Sequence, residues 1–339
     1  MPRHRTVLSI DGGGIRGIIP AVVIDYLERA VGKPASELFD LIAGTSTGGI
    51  IALGLGVPDP HSDQRPRYSG GDLAELYRAR GAHIFSQTLW RRIHSVQGIL
   101  DETYDAKPLE QALADYFADT QLGSLRCRVM VTAYDIERRN TVFLKSFKPE
   151  HRDLSCMAAA RATSAAPTYF TPAKLALGDQ QHALIDGGVY INSPAVSAYA
   201  EALKLFPGDE ITVVSLGTGE LIRSIPEIDA SGWGRAGWVI PLLDCMFDGA
   251  AKAADHQMRL FLGEQYLRLQ LSLKHASDDM DDASATNIDA LFRSAEELIV
   301  EEQDQLQRLV AYLSGVHGTQ VRPPDDLVPP YFDVQWNGK

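Results

Sequence analysis

Short apolar runs alternate along the chain with longer segments whose apolar residues recur at helical spacing. The first run, Thr6 to Ile10, is β-rich and leads through a glycine-rich loop into a helical pattern that extends to Ala30. A second run, Phe39 to Ala43, is followed by a short corner and then by the apolar run Ile50 to Leu55. This order of strand, loop, helix, strand, corner and helix predicts a parallel sheet covered by helices on both faces.

The rest of the chain continues the alternation. Strands are predicted at 128–133, 141–147, 183–185 and 211–216, and helices at 72–82, 108–118, 154–166, 194–205, 242–262 and 288–313. Residues 56–70 collect Gly, Pro, Ser and Asp and are predicted to form an irregular surface loop. Residues 83–101 fit neither pattern and could be core or an apolar lid, core being the simpler interpretation. We expect one domain over 1–339, with a core at 6–220 and a helical extension over about 235–339 packed on it.

Composition narrows the class of protein. With 339 residues, 45% hydrophobic and 22% charged, the chain has ordinary globular composition and can bury a substantial core. The formal net charge of −12 argues against binding of a nucleic-acid polymer, which requires a basic surface. The three cysteines are far apart and form no Cys-x-x-Cys pair, which favours a reducing compartment.

Two apolar stretches bear on where the protein is found. The run Val7 to Ile10 is too short for the apolar part of a signal peptide. Residues 38–57 have the length of a membrane span, but Gly-Thr-Ser-Thr-Gly-Gly at their centre favours a buried strand, turn and helix. We therefore expect no transmembrane segment and a cytoplasmic protein.

The corner from Gly44 to Gly48 is the first candidate for chemistry. Its Gly-x-Ser-x-Gly sequence between a strand and a helix is typical of a nucleophile elbow, in which flanking glycines allow a turn too tight for side chains. The Ser46 hydroxyl would then project into solvent at the sheet edge. Alternatively, Ser46 or Thr47 only caps the following helix, a common role for these residues. The motif alone leaves both interpretations open.

The glycine-rich loop after the first strand also has two interpretations. Backbone N–H groups of Gly12, Gly13 and Gly14 could converge near a helix N-terminus, an arrangement that suits stabilisation of an oxyanion. The same loop fits Gly12-x-Gly14-x-x-Gly17, the fingerprint of a dinucleotide-binding site. Against dinucleotide binding, Asp40 lies inside the second strand, whereas the strand end, where an acidic residue should bind the ribose, is the serine corner.

A serine nucleophile needs a base, and two kinds are present. In the usual hydrolase order an acid and then a histidine follow the serine; His256 and His275 come in that order, but neither lies in a recognisable motif. Asp186 is the other candidate, because it ends a strand and precedes two glycines that allow a sharp turn towards another loop. Taken alone, the same residues also fit an ordinary Asp-Gly turn.

No stretch of the sequence indicates a metal site. The acidic run Asp278, Asp279, Asp281 and Asp282 lacks the central glycine and terminal glutamate of an EF-hand loop, so we expect a solvated loop. A His-Glu-x-x-His motif and a close histidine cluster are also missing, so no catalytic metal is expected.

Three motifs, in this order and each after an apolar run, resemble those of the patatin-like phospholipase family. They are Asp11-Gly-Gly-Gly-Ile-Arg-Gly17, Gly44-Thr-Ser-Thr-Gly48 and Asp186-Gly-Gly188, and the sequence Ser-Leu-Gly-Thr-Gly at 215–219 also looks family-like. The resemblance covers about residues 6–220, and the tail looks like that of bacterial members. One departure is Asn192-Ser193-Pro194, where two asparagines would be expected before the proline.

The resemblance implies a three-layer α/β/α fold with a mostly parallel central sheet and extra C-terminal covering helices. It implies a Ser46–Asp186 dyad without histidine, an oxyanion hole at Gly12 to Gly14, and an Arg16 that steadies this loop or meets a lipid phosphate. The implied reaction is two-step acyl transfer from a glycero(phospho)lipid ester, of phospholipase A or lysophospholipase type. Neither a metal nor a cofactor is implied.

The resemblance also implies partners. The substrate would be membrane phospholipid or another glycerolipid, which a cytoplasmic protein reaches by transient peripheral contact with the membrane surface. Trp233, Trp238, Leu242 and Leu243 could form the apolar docking face or belong to the core. Some bacterial effectors among the relatives need a cyclic nucleotide or a host factor, so a small-molecule or protein activator remains an open expectation.

Overall fold

The computed structural model describes residues 2–84, 106–220, 224–232 and 234–317. Its strands in chain order are β1 (His4–Ile10), β2 (Leu41–Gly44), β3 (Pro58–Asp59), β4 (Ser62–Pro66), β5 (Val129–Asp135), β6 (Asn140–Lys145), β7 (Ala173–Leu177), β8 (Gln180–Asp186), β9 (Glu210–Leu216) and β10 (Tyr266–Leu269). The central eight-stranded sheet has the order β10-β9-β1-β2-β5-β8-β7, with β6 also paired to β5. Strands β3 and β4 form a separate hairpin.

Helices connect and cover these strands. They are α1 (Ile18–Val31), α2 (Ala35–Leu38), α3 (Thr47–Gly56), α4 (Gly70–Ile84), α5 (Lys107–Phe117), α6 (Cys156–Thr163), α7 (Ala195–Leu205), α8 (Glu227–Ser231), α9 (Arg235–Leu262), α10 (Ala285–Glu301) and α11 (Gln303–His317). Helix α1 shows how the sequence sets such bounds, with Pro20 in its first turn and Gly32, at φ 75°, just beyond its end.

Alternate strand residues enter two separate hydrophobic cores, one on each face of the sheet. Leu8 and Ile10 of β1 belong to the larger core, which also contains residues of α1, α3, α4, α10 and α11. Val7, which precedes Leu8 and lies on the opposite face of the strand, belongs to the smaller core together with residues of α7 and Met258 of α9. Helices therefore cover both faces, and the three-layer α/β/α fold with a mixed, mostly parallel sheet is confirmed.

Strand β5 brings the two halves of the sheet together. Along one edge it pairs in parallel with β2, where Gly44 lies opposite Val131. Further along it pairs with β8 in antiparallel fashion, where Asp186 lies opposite Ala133. Both strands must share this edge, because β6 occupies the other edge over the same residues. The C-terminal ends of β2 and β8 therefore point towards each other.

Several predicted elements differ from the observed ones. The loop expected at 56–70 contains the β3–β4 hairpin, whose strands are too short to produce a clear alternating pattern. The single helical pattern at 288–313 is divided into α10 and α11 at Glu302. Strands β7 and β10 were not predicted, and α9 begins before the expected 242–262 pattern. Of the segment 83–101, residues 85–101 lie outside the described residues.

The covering helices of the tail pack on the core. Leu291 and Leu298 of α10 and Leu313 of α11 are buried in the larger core. Within the described ranges, no helix combines the length and the apolar character that a membrane crossing requires.

Candidate active site

Ser46 lies at a sharp turn between β2 and α3. Its backbone has φ 55° and ψ −123°, a left-handed conformation that non-glycine residues adopt rarely and at a cost of about 1–3 kcal/mol. The flanking glycines are required by close packing: a Cβ on Gly44 would lie 2.1 Å from the Gly48 carbonyl oxygen, and one on Gly48 would lie 2.3 Å from the Ile10 oxygen. The corner thus has the nucleophile-elbow geometry expected from its sequence.

Neighbouring side chains hold the elbow in place. The Ser46 amide donates a hydrogen bond to Thr163 Oγ1 at 3.0 Å, at the C-terminal end of α6. Thr45 Oγ1 donates to the Ile191 carbonyl oxygen at 2.8 Å and lies 2.8 Å from Thr132 Oγ1. Ser46 is half-buried, whereas both neighbours in sequence are buried, so its side chain is the accessible one.

Asp186 meets Ser46 at the end of β8. Its side chain is 1% exposed, and its carboxylate accepts hydrogen bonds from the Ser46 hydroxyl and, at 2.7 Å, from the Gly188 amide. Burial raises the pKa of this carboxyl from its ordinary value of 3.8 to about 7, although both hydrogen bonds oppose the increase. The Gly187 position is as tight as the elbow, since a Cβ there would lie 2.1 Å from Thr132 Oγ1.

The glycine-rich loop borders the same space. Gly13 and Gly14 line the cleft that contains Ser46 and Asp186. The Gly12 amide, in contrast, donates to the Asn192 carbonyl oxygen at 3.0 Å, so this N–H group is already bonded within the protein. Of the three glycines expected to provide oxyanion donors, Gly12 therefore has its amide engaged, and Gly13 and Gly14 stay the predicted donors.

Arg16 is buried and stabilises the glycine-rich loop through hydrogen bonds. Its Nε donates to the Gly13 carbonyl oxygen and a terminal nitrogen donates to the Asp278 carbonyl oxygen, both at 3.3 Å. Its side chain is only 3% exposed, and burial lowers the pKa of the guanidinium from its ordinary value. Of the two expected roles, steadying the loop is the one that these contacts support.

The acidic run at 278–282 also supports the glycine loop. Its Met280 carbonyl oxygen accepts the Ile15 amide at 2.9 Å, and a Cβ on Gly14 would lie 2.1 Å from that same oxygen. Gly14 has φ 58°, which favours glycine as well. Asp281 is buried and its neighbours are half-buried, so the prediction of a solvated loop was wrong.

An ion pair lies beneath the loop. Arg268, on β10, donates to the Asp11 carboxylate at 2.5 Å and to Ser215 Oγ at 2.8 Å. Both charged side chains are almost fully buried, so each stabilises the other in an environment that would penalise a lone charge. Thr218 Oγ1 donates to the Gly12 carbonyl oxygen at 2.7 Å and completes this support.

An apolar cleft of about 890 Å³, partly open to solvent, extends from Ser46. Helices α3, α4 and α5, the α6–β7 connection and the α9 helix supply most of its apolar walls. These walls are formed by Ile50, Leu76, Ile84, Leu109, Leu113, Phe117, Phe170, Phe247 and Met280. A cleft with a few polar groups at one end and apolar walls elsewhere is suited to an acyl chain whose ester lies at the polar end.

The alternative chemistries find less support in the geometry. His256 and His275 are exposed, and the described residues that line the cleft include no histidine. Asp40 bonds Arg5 and the Thr6 amide, and β2 ends at the elbow without an acidic residue for a ribose. Over the described ranges, no group of three or more His, Cys, Asp or Glu is placed to hold a metal ion.

Known proteins are similar to this chain in sequence and in fold. A family model described as patatin-like phospholipase matches residues 8–199. The chain is 30% identical to Patatin-like protein 2 of Oryza sativa subsp. indica, with 87% of this chain and 83% of that protein covered. It is also 30% identical to Patatin-2-Kuras 3 of Solanum tuberosum, with the same shares covered. The structure of human GIVD cytosolic phospholipase A2 with methyl gamma-linolenyl fluorophosphonate is 12% identical, with a TM-score of 0.49 over 92% of this chain and 60% of that chain.

Proposed function

Because the chain belongs to the patatin-like phospholipase family, we propose that Ser46 and Asp186 form the catalytic dyad of this lipid acyl hydrolase. The observation that carries the proposal is the hydrogen bond from the Ser46 hydroxyl to a buried carboxylate whose pKa is raised to about 7. A carboxylate with an ordinary pKa is too weak a base to take a serine proton near neutral pH. Burial of Asp186 removes this obstacle.

The reaction follows from the positions of these groups. Ser46 attacks the ester carbonyl while its proton passes along the existing hydrogen bond to Asp186. The amides of Gly13 and Gly14 stabilise the oxyanion, and Arg16 keeps their loop in place. Collapse of the tetrahedral intermediate releases an alcohol or lysolipid, which takes the proton from Asp186. A water molecule, with Asp186 again as base, then hydrolyses the acyl-enzyme and releases the fatty acid.

The cleft indicates the substrate class. Its apolar walls fit a fatty acyl chain, so the substrates are glycerolipid or glycerophospholipid esters, cleaved in the manner of a phospholipase A or lysophospholipase.

Helix α9 provides a surface for contact with the membrane. Trp238, Leu242 and Met246 follow each other at intervals of four residues on one exposed side of this helix, and Phe247, next in sequence, lines the cleft. An exposed apolar stripe beside the entrance to the cleft would bring the bilayer to the nucleophile. Leu243 is half-buried, and Trp233 lies outside the described residues.

This surface belongs to a cytoplasmic protein that contacts the membrane transiently. The named curated relatives are plant proteins, and the bacterial origin expected from the sequence stays a prediction. The activator expectation also stays a prediction.

A fluorophosphonate probe tests the proposed dyad directly. The wild-type protein should react once per chain at Ser46, which peptide mass spectrometry identifies, and Ser46→Ala should not react. A Ser164→Ala variant is a matched control, because Ser164 also lines the cleft but donates its hydroxyl to the Ala160 carbonyl oxygen. Labelling of Ser46→Ala at the wild-type rate would exclude the proposed nucleophile.

A further inference from the structure

A second, polar chamber lies beside the apolar cleft. It encloses about 1060 Å³ of empty space, partly open to solvent, at the carboxyl ends of β1, β9 and β10. Asp11, Thr218 and Gln270 mark the ends of these three strands in its wall. Ligands of open α/β sheets bind at this edge of parallel strands, so its position already suits a binding site.

One side of helix α9 carries a row of charged residues that lines the chamber, where Lys252 and Arg259 also reach solvent. Along α9, Asp244, Asp248, Lys252, Asp255 and Arg259 recur at helical spacing and line the chamber. The side of a helix that faces a sheet is normally apolar, because charged groups lose hydration there. Here the charged side faces an open space instead of packing against the strands.

The charges in this wall are not balanced. Its carboxylates are Asp11, Glu220, Asp244, Asp248, Asp255 and Glu302, and its cations are Arg16, Lys252, Arg259 and Arg268. Three of the cations form ion pairs. Arg268 pairs with Asp11, Lys252 with Asp248, and Arg259 with Asp255. Six carboxylates and four cations give this wall a formal net charge of −2, so the chamber as a whole attracts positive charge.

The chamber and the cleft share a wall. Asn192, Phe247 and Met280 line both spaces. Asn192 is 7% exposed, and its Oδ1 accepts no hydrogen bond from the described residues. A Cβ on Gly12 would lie 2.4 Å from this oxygen and 3.3 Å from the Ser46 Cβ, so the unsatisfied amide group is adjacent to the nucleophile. A buried polar group of this kind is costly unless a ligand completes its bonding.

We propose that the polar chamber binds an organic ammonium group. The shared wall identifies the head group of the lipid substrate as its source: the acyl chain lies in the cleft, the ester at Ser46, and an ethanolamine or choline head group in the chamber. The excess of carboxylates attracts the ammonium group, and the Phe247 ring in the wall adds a cation–π surface, whereas the Tyr266 ring already has the Arg259 guanidinium over it at 5.9 Å. This inference rests on the proposed function and deepens it to lipids with ammonium head groups.

Short-chain lipids dissolved as monomers test the chamber without a membrane surface. Dihexanoyl lipids that carry choline, ethanolamine or glycerol head groups are compared by kcat/KM, each divided by the rate with p-nitrophenyl butyrate, which has no head group. The wild-type protein should prefer the ammonium lipids by about tenfold, equivalent to about 1.4 kcal/mol. The Glu220→Gln/Glu302→Gln double variant should lose most of this preference through an increase in KM.

Two further variants make the comparison specific. Asp248→Asn removes a carboxylate from another side of the chamber and should reduce the preference if the double variant is unstable, which thermal melting reveals. Glu264→Gln is the matched control, because Glu264 is an exposed carboxylate next to β10 that does not line the chamber. It should keep the wild-type preference.

The outcomes distinguish a lipid head group from a free amine as the ligand of the chamber. They also distinguish failure of the chamber proposal from failure of the proposed Ser46–Asp186 dyad. Calorimetric titration with choline chloride that shows saturable binding, lost in the double variant, without any head-group preference would assign the chamber to a free amine and overturn the lipid head-group role. Equal turnover of all lipids and no choline binding would overturn the chamber proposal entirely. In either case, hydrolysis of p-nitrophenyl butyrate that is lost in Ser46→Ala would leave the proposed dyad standing.

Discussion

The hydroxyl oxygen of Thr163 accepts the Ser46 amide at 3.0 Å, so the end of helix α6 holds the backbone of the nucleophile. This contact matters because Ser46 adopts a strained conformation, with φ 55°, that the surrounding structure must hold in place. Thr163 is completely buried and does not line the cleft, so it acts on Ser46 and not on the substrate.

Replacing Thr163 tests this positioning role. Thr163→Val keeps the shape of the side chain but leaves the buried Ser46 amide without an acceptor, a loss of about 1–3 kcal/mol, or about 5- to 150-fold in kcat if it falls on the transition state. Thr163→Ser should restore most of the activity. Steady-state kinetics with p-nitrophenyl butyrate measures both, with KM close to wild type. Equal kcat values for Thr163→Val and the wild type would contradict the positioning role.

The dyad predicts which substitutions abolish hydrolysis. Ser46→Ala and Asp186→Ala should each reduce fatty-acid release from phospholipid vesicles by about 10³-fold or more, because nucleophile and base act as a unit. His256→Ala and His275→Ala should retain the wild-type rate, since both histidines are exposed and outside the cleft. Loss of activity in either histidine variant, with folding intact, would instead support a conventional triad.

The raised pKa of Asp186 predicts the pH dependence of catalysis. The base must be deprotonated to accept the serine proton, so kcat/KM for a soluble ester, which reports the free enzyme, should rise with pH through a midpoint of about 7 and then level off. A pH–rate profile whose lower limb has its midpoint near 4 would show that burial does not tune this carboxyl.

The same pKa predicts a cost in stability. The folded protein retains the Asp186 proton up to about pH 7, whereas the unfolded chain releases it near pH 4, so this group destabilises the fold increasingly as pH rises between these values. Asp186→Asn removes this effect and should stabilise the fold more at pH 8 than at pH 5, by about 2–3 kcal/mol, which appears as a larger rise in melting temperature at pH 8. Calorimetry at both pH values measures the difference. An identical change in stability at the two pH values would contradict a raised pKa of Asp186 in the folded protein.

The Asp11–Arg268 pair predicts a large structural effect. Arg268→Met leaves the Asp11 carboxylate buried without its cation and should lower the free energy of unfolding by about 3–5 kcal/mol. The Asp11→Asn/Arg268→Met double variant removes both charges, so its loss should be smaller than the sum of the single losses. Urea denaturation of the four proteins completes the cycle. Additive losses would indicate that the pair is not coupled.

The exposed stripe of α9 predicts a difference between soluble and membrane substrates. Trp238→Ser/Leu242→Ser should reduce vesicle binding and vesicle hydrolysis by about tenfold while the rate with p-nitrophenyl butyrate stays close to wild type. Vesicle sedimentation and fatty-acid release are the measurements. Leu203→Ser is the matched control, because Leu203 is similarly exposed on another helix, α7, and does not line the cleft. An equal loss of vesicle binding and hydrolysis in Leu203→Ser would contradict a special role of the exposed residues of α9.

The motifs located part of the site because they specify local backbone geometry. Gly44 and Gly48 indicate the elbow since no Cβ fits at either position, and Gly187 allows the turn after Asp186. The parallel sheet with helices on both faces followed from the alternation of apolar runs and helical patterns. These features depend on residues close together in sequence.

The supporting contacts could not be found in this way. Thr163 ends an alanine-rich helix, and Arg268 lies on an unpredicted strand, so neither carries a local pattern that points to Ser46 or Asp11. The acidic run at 278–282 contributes backbone carbonyl oxygens, which any sequence could provide, and its charges suggested solvent. The Gly12 amide was expected to be free because its acceptor, the Asn192 carbonyl, comes from a distant loop.

Strand β5 sets the relative positions of Ser46 and Asp186. Gly44 of the elbow pairs with Val131 of β5, and Asp186 pairs with Ala133, two residues further along the same edge. The separation of nucleophile and base is therefore set by the sheet and not by the length of the chain that joins them. Parts of the β2–β5 and β6–β7 connections that lie outside the elbow and helix α6 can consequently gain or lose residues without moving Ser46 relative to Asp186, so the walls around the substrate can change while the reaction centre stays constant.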